Sequence, residues 1–336
     1  MKRAGELLDR IADRDNLLLA YVLACRGCRS APAAVAFGRD LDAELATLRK
    51  GLLEGSIPVG AFTSFPIRDP KPRQIHAPVF RERVLHHALI HVGGERLERY
   101  LIDDTFACRK GKGTHAAVAR AEQFAARYRY VLKLDVRRYF DSIDHELLLR
   151  QLARLWKDRA VLRLVERIVH SYEAAPGKGL PIGSLTSQHF ANVYLGVLDH
   201  HVKDVMRCRG YVRYMDDVLL FGDDARQLRG QWRWLQGWLW DTLRLRWKQP
   251  QVIACARGIP FLGFRLLPGH RRLSAERRRR FARRLRGLAI AFQRGAFGED
   301  VYHQRLLSLC SHAEQAQDRD WRRRLLARLA AAGLDV

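Results

Sequence analysis

Residues 211–221 read YVRYMDDVLLF, two short apolar runs joined by a polar turn with Asp216 and Asp217 at its tip. Aromatic and β-branched residues on both sides of a turn predict a β-hairpin. Residues 130–145 read YVLKLDVRRYFDSIDH, an apolar strand that ends at Asp135 and gives way to a turn and a helix from His145. Carboxylates at the ends of apolar strands are costly unless cationic charge lies between them. Two Mg²⁺ ions, for which Mn²⁺ can substitute, suit such oxygen ligands and keep places for water and phosphate. A pair of ions about 3.5–4 Å apart activates an attacking hydroxyl and stabilises a leaving pyrophosphate. Taken singly, these acids read as ordinary turn aspartates. In this order, in a basic chain, they read as a metal site.

The basic character is pronounced: 336 residues carry 60 Lys+Arg against 36 Asp+Glu, a formal net charge of +24. With 48% hydrophobic and 29% charged residues the chain can bury a large core, which excludes disorder, collagen and coiled coil. Such an excess of positive charge predicts a polyanionic partner. Cys25, Cys28, Cys108, Cys208, Cys255 and Cys310 make no disulfide framework in a chain of this length and predict a reducing, cytoplasmic setting. The apolar run Leu17–Ala24 resembles a signal peptide, but Glu6, Asp9, Asp13 and Asp15 interrupt the pattern. No stretch reaches the roughly 20 apolar residues of a bilayer span, so nucleic acid is expected before membrane.

Residues 1–55 carry helical periodicity with a turn at Gly27–Pro32. Pro58, Pro66, Pro70, Pro72 and Pro78 punctuate short strand-like runs and predict a hairpin tipped by Asp69-Pro70-Lys71-Pro72, followed by a helix from Phe80 to about Tyr100. The stretch CRKGKGT at 108–114 lacks the full P-loop pattern. Its Arg109, Lys110 and Lys112 ahead of a helix predict a solvated basic loop or a backbone-phosphate contact. Residues 180–203, LPIGSLTSQHFANVYLGVLDHHVK, read as a glycine-containing loop feeding one long amphipathic helix. A Trp-rich helix, a strand pair around IPFLGFRLL (259–267) and a basic helical remainder from Arg271 complete the pattern. In that remainder nine arginines precede Leu288 against the single acid Glu276, with Leu273, Phe281, Leu285 and Leu288 as the apolar face. Arg277, Arg279, Arg280, Arg283 and Arg284 are therefore expected to track a nucleic-acid backbone. His87 and His91 have helical metal spacing without the acidic partner of a zincin and read as a polar helix face.

YMDD at 214–217 resembles the central motif of reverse transcriptases, and LDVRRYFDSIDH at 134–145 resembles their preceding acidic motif. The likeness follows the family's motif order over roughly residues 50–270. It implies an α/β (α+β) right-hand polymerase with fingers, an antiparallel-sheet palm and a small helical thumb. The expected division is an N-terminal helical extension at 1–55, fingers at 56–130, a palm at 131–268 with part of the fingers inserted, and a basic helical thumb at 269–336. By the same resemblance Asp135 and Asp216 bind both catalytic metals, Asp217 supports them, and the Val136 carbonyl completes one site. Phe140, five residues after Asp135, stands where the family places a steric gate against a ribose 2′-hydroxyl, and Lys71 and Arg73 stand where it binds the triphosphate.

The loop IGSLTSQ at 182–188 resembles that of the group II intron-like reverse transcriptases of diversity-generating retroelements. Most reverse transcriptases carry Gln before this glycine and Pro after the serine; here Ile182 and Gln188 occupy those places beside Gly183. RYMDD and the C-terminal His312-Ala313 agree with that group. The resemblance implies copying of a template-repeat RNA into cDNA with errors opposite adenine, which diversify a variable protein gene. Expected partners are template RNA, a primer–template duplex, dNTPs and a small basic helical accessory protein. Ile182 removes a hydrogen-bonding side chain from the floor of the nascent base-pair pocket, so pairing is less stringently checked. The stretch after Phe264 is too short for an RNase H domain, so removal of template RNA is expected from another enzyme. A retron-type or other defence reverse transcriptase is the nearest alternative, although a thumb-side Val-Thr-Gly is absent. A non-catalytic RNA-binding scaffold is the alternative of another class, and intact Asp135, Asp216, Asp217 and Phe140 stand against it.

Overall fold

The computed structural model describes residues 3–68, 72–314 and 316–334. Four helices open the chain, α1 (Leu7–Ile11), α2 (Arg14–Ala24), α3 (Pro32–Arg39) and α4 (Leu41–Glu54). Asp13 caps α2 by accepting from the N–H groups of Asp15 and Asn16, and Gly55 closes α4 in the left-handed region at φ 69°. The proline-punctuated stretch forms the expected antiparallel hairpin of β1 (Phe62–Arg68) and β2 (Pro72–Pro78), and α5 (Phe80–Tyr100) follows. Next come α6 (Thr114–Arg127), β3 (Tyr130–Asp135), α7 (Tyr139–Ser142), α8 (His145–Leu155), α9 (Arg159–His170), α10 (Leu185–Tyr194) and α11 (Gly196–His200). The chain continues through β4 (Gly210–Tyr214), β5 (Asp217–Gly222), α12 (Ala225–Leu243), β6 (Gln251–Ala254), β7 (Ile259–Phe261), β8 (Phe264–Leu267) and β9 (His270–Leu273). It ends in α13 (Ala275–Gln293), α14 (Glu299–Glu314) and α15 (Arg319–Ala331).

The fold is mixed α/β, mostly helical, with antiparallel sheets. A four-stranded sheet in the order β4-β5-β3-β6 forms its centre. Because strand side chains alternate between faces, β3 feeds two cores: Leu132 and Leu134 join Leu235 and Leu239 of α12, while Val131 joins Ala121 and Phe124 of α6. The first core continues through α5 into the N-terminal helices, where Leu85 and Leu89 meet Leu17 and Ala20. Among the described residues no helix is long and apolar enough to cross a membrane.

Several expectations from the sequence need correction. The long helix after Gly183 is broken at Leu195, beyond which α11 runs into a π-helical turn at His201–Val205. At the break a Cβ on Gly196 would sit 2.4 Å from Tyr100 Cε1, so the tyrosine ring fills the place of a side chain. The strand pair around IPFLGFRLL is a three-stranded sheet, β7-β8-β9, so the segment after Arg271 begins as strand; Leu273 ends β9, and α13 starts behind a Ser274 cap. The buried residues of α13 are Phe281, Leu285 and Ala289, with Leu288 only half-buried. Arg109 is neither solvated nor free for phosphate: its guanidinium is bonded to Glu98 and to the carbonyls of Ile102 and Thr105, while Lys112 bonds the Asp103 carbonyl.

Candidate active site

The antiparallel register brings the three acids to one end of the central sheet. Asp135, the last residue of β3, lies directly opposite Asp217, the first residue of β5, and Asp216 sits in the turn between β4 and β5. The Asp216 carbonyl accepts from the Val136 N–H at 3.4 Å, and buried Val136 pairs with Trp247 on its other side. Lysines supply the nearby positive charge: Lys248 Nζ is 2.5 Å from Asp135 Oδ1, and Lys133 Nζ is 4.0 Å from Asp217 Oδ1. Burial first, and the charge of Asp135 second, push Asp216 up to about 6. Burial also raises Asp217.

A buried ion pair holds the turn that carries Asp216. Met215 adopts the left-handed region at φ 54°, an unfavourable conformation for a side chain of its kind. Its carbonyl accepts from Arg213 Nη1 at 3.1 Å. The Arg213 guanidinium grips Asp199 through two bonds of 2.6 Å, and neither side chain is exposed. Tyr211 and Thr105 donate to the two oxygens of Asp199, and Asn192 accepts from Arg213 through both its side chain and its backbone. In the sequence these residues stand only as letters of a motif. An arginine inside an apolar strand, with an aspartate on the preceding helix, is the signal that points to such a pair.

The other sequence-predicted residues divide into groups. Tyr139 takes the core position on α7, its hydroxyl bonded to the Ala191 carbonyl, whereas Phe140 is only partly buried, with its ring 5.7 Å from that of Tyr139. The Phe140 carbonyl accepts from the Leu180 N–H at 2.9 Å, which ties α7 to the loop leading to Ile182. That loop is also clamped to the β1–β2 hairpin, where the His76 N–H donates to the Ile182 carbonyl at 2.7 Å. Gly183 has φ 118°, and a Cβ on it would lie 2.7 Å from Ile75 Cγ2, so both backbone and packing require glycine. Arg73 is exposed on β2, and Lys71 lies outside the described residues. Gln188 does not follow Ser184: Leu185 does, and Gln188 stands one turn into α10, accepting from the Cys108 thiol at 3.5 Å.

The family model described as reverse transcriptase (RNA-dependent DNA polymerase) matches residues 69–266, more than half of the chain. The chain belongs to the reverse transcriptase family. Among curated proteins it is similar to the putative COX1/OXI3 intron 1 protein of Saccharomyces cerevisiae, 23% identical over 219 residues, 60% of this chain and 25% of that protein. It is also similar to the nuclear intron maturase 1, mitochondrial, of Arabidopsis thaliana, 28% identical over 89 residues, 26% of this chain and 12% of that protein. Protein YkfC of Escherichia coli is 24% identical over 177 residues, 49% of this chain and 46% of that protein. The chain thus spans less than half the length of each of these relatives. Among solved structures, telomerase from Candida albicans in complex with a fragment of telomeric RNA aligns over 82% of this chain and 55% of that chain, with TM-score 0.48 and 12% identity.

Reverse transcriptases use divalent metal ions, and the donor set here suits them. Asp216 and Asp217 are held partly out of water, their carboxyls are pushed toward protonation, and Lys248 and Lys133 lend positive charge. A divalent cation relieves the same repulsion more strongly. Among the described residues no three His, Cys, Asp or Glu side chains are arranged to hold a metal ion by themselves. An open carboxylate site leaves the remaining positions to water and substrate phosphate, as hard cations in phosphate chemistry require. On the nucleic-acid side, Arg279, Arg283 and Arg284 of α13 are exposed, while Arg277 packs over the Phe264 ring at 5.1 Å and Arg280 is exposed but not without a partner.

Proposed function

We propose that this chain is the RNA-directed DNA polymerase of a diversity-generating retroelement, copying a template-repeat RNA into cDNA with errors opposite adenine. The observation that carries the polymerase chemistry is the meeting of Asp135, Asp216 and Asp217 at one end of the sheet, inside the family-matched span. Asp135 and Asp216, with the Val136 carbonyl and support from Asp217, would hold two Mg²⁺ or Mn²⁺ ions, which would supply Lewis acidity where a primer 3′-hydroxyl joins the α-phosphate and pyrophosphate leaves. The protein's own groups position the rest. Arg213 fixes the turn, Phe140 stands beside the ribose, and Arg73 on the hairpin reaches the phosphates and base. The division into extension (1–55), fingers (56–130), palm (131–268) and thumb (269–336) goes with this reading, as does a small basic helical accessory protein as partner.

The retroelement assignment rests on Ile182, which stands before Gly183 in the loop clamped to the fingers hairpin. An aliphatic side chain there offers no hydrogen bond with which to test base-pair geometry. Sequencing cDNA copied from one defined RNA, with the accessory protein supplied, should show errors concentrated opposite template adenine, and Ile182→Gln should make copying more selective. Errors spread evenly over the four template bases remove the mutagenic role and leave a reverse transcriptase.

Two further expectations concern substrate and template. Trimming the half-exposed ring in Phe140→Ala should raise ribonucleotide incorporation relative to deoxynucleotide about ten-fold, since one lost steric contact is worth roughly 1–3 kcal/mol. An unchanged ratio assigns the ring to packing alone. Reversing the charges of exposed Arg279 and Arg283 should weaken primer–template binding and flatten its salt dependence by roughly 0.9 in log–log slope per lost phosphate contact on a B-form duplex. Unaltered affinity and slope in a filter-binding titration make this face of α13 a solvated one.

A further inference from the structure

A basic cavity of about 440 Å³ opens beside the carboxylates, and neither the metal site nor the basic helix uses it. Arg137 and Arg138, the second and third residues past Asp135, form one wall; Lys178, from the loop after α9, forms another; Trp240, Arg244 and Arg246, at and beyond the end of α12, form the third. Five cations face one lining carboxylate, Asp141, which pairs with Arg138 at 3.1 Å. Among the described residues the other four cations make no salt bridge. The walls are fixed relative to one another, because the Arg137 N–H donates to the Arg246 carbonyl at 2.7 Å. The Trp240 indole supports two of the guanidinium groups, with Arg246 at 4.7 Å and Arg244 at 6.0 Å from the ring centre. A π-face orients an arginine while leaving its charge available to an anion.

Like charges gathered and held in a concave surface repel one another unless an anion is shared among them. The cavity is the size of a small-molecule site and far too small for a duplex. Guanidinium and ammonium groups together match phosphate oxygens. We infer that this cavity binds the polyphosphate of a nucleotide independently of metal, as a holding site next to the carboxylates. The triphosphate of an incoming nucleotide rests there before transfer to the acids, and pyrophosphate passes through it on leaving. This inference rests on the polymerase reading for its biological use, but the binding itself does not.

Calorimetric titration of the full chain in EDTA, with inorganic pyrophosphate, tripolyphosphate and dATP as separate probes, keeps metal-dependent binding out of the measurement. Saturable binding of one equivalent of each is expected. The charge-reversed variant Lys178→Glu/Arg244→Glu should lose about ten-fold or more in affinity, while Lys178→Arg/Arg244→Lys retains binding and controls for folding. With Mg²⁺ and a primed RNA template, the charge-reversed variant should show a raised KM for dNTP and an unchanged kcat. Absence of pyrophosphate binding to the wild-type chain overturns the inference, as does equal affinity in a folded charge-reversed variant. Binding of dATP without pyrophosphate or tripolyphosphate also overturns it, because recognition would then lie in the nucleoside. Pyrophosphate binding lost on charge reversal in a protein that makes no DNA keeps the site and removes the polymerase reading. DNA synthesis with KM and pyrophosphate affinity unmoved by charge reversal does the opposite.

Discussion

Asp216→Asn is expected to abolish DNA synthesis and at the same time to make the metal-free protein more stable. The loss of activity is expected to be on the order of 10³-fold or more, which corresponds to about 4 kcal/mol of lost transition-state stabilisation. The gain in stability follows from the raised carboxyl: Asp216 titrates at about 6 in the folded chain against 3.8 for the free side chain. A folded-state pKa above the unfolded one means that the stabilisation is fully present below pH 3.8, where both states are protonated, and is lost as pH rises through about 6. At pH 7 the ionised group therefore costs about 1–3 kcal/mol after allowance for its partial exposure, and a neutral asparagine removes that cost. Thermal melting at pH 7 in EDTA should show a higher midpoint for the variant, and the difference should shrink as the buffer is taken below pH 5. Added Mg²⁺ should raise the midpoint of the wild-type chain and leave the variant nearly unmoved. Undiminished incorporation of dNTPs by Asp216→Asn sinks the catalytic assignment, whatever the melting curves show.

Asp199→Leu is expected to be the most damaging substitution away from the carboxylates. It strips both oxygens from a guanidinium that has no access to water, and an uncompensated buried charge costs about 3–5 kcal/mol. Chemical denaturation of the purified variant reads this directly. The double variant Asp199→Leu/Arg213→Met separates stability from positioning, because replacing a buried ion pair by apolar residues of similar volume commonly restores most of the stability. Its denaturation midpoint should return toward that of the wild-type chain. Its DNA synthesis should not, since the Met215 carbonyl has lost the donor that holds the left-handed turn ahead of Asp216. Arg213→Lys keeps the charge but not the planar fork and should fall between the two. Full activity in the double variant would mean that the turn holds its shape without Arg213.

Much of this architecture is legible in short runs of residues. The apolar run YVLKLDV predicts β3; YVRYMDDVLLF predicts the β4–β5 hairpin with its acids at the tip; and the proline-punctuated stretch predicts β1 and β2. Helix α5 begins and ends where its periodicity does. Elements whose existence depends on a distant partner are not legible in this way. Four-residue β6 has no alternation of its own and exists because the free edge of β3 pairs with it, Val131 opposite Ile253. Strand β9 carries arginines that suit a basic helix, yet it completes the sheet begun by β7 and β8. The absence of a side chain at Gly196, just past the break, answers to the ring of Tyr100, nearly a hundred residues earlier in the chain.

The candidate site divides along the same line. The identity of its acids, the arginine ahead of them, the aromatic residue after Asp135 and the unusual Ile182 are all written locally in the sequence, because each is a choice of side chain at one position. The placing of Asp135 opposite Asp217, the closure of Arg213 upon Asp199 and the Met215 carbonyl, and the gathering of five cations around Trp240 come only from the tertiary structure. Asp135 and Asp217, and Arg137 and Arg246, lie far apart in the chain, and even Arg213 and Asp199 come from different elements. Their geometry is settled by strand register and by the burial of two shared cores, terms that no local window of sequence contains.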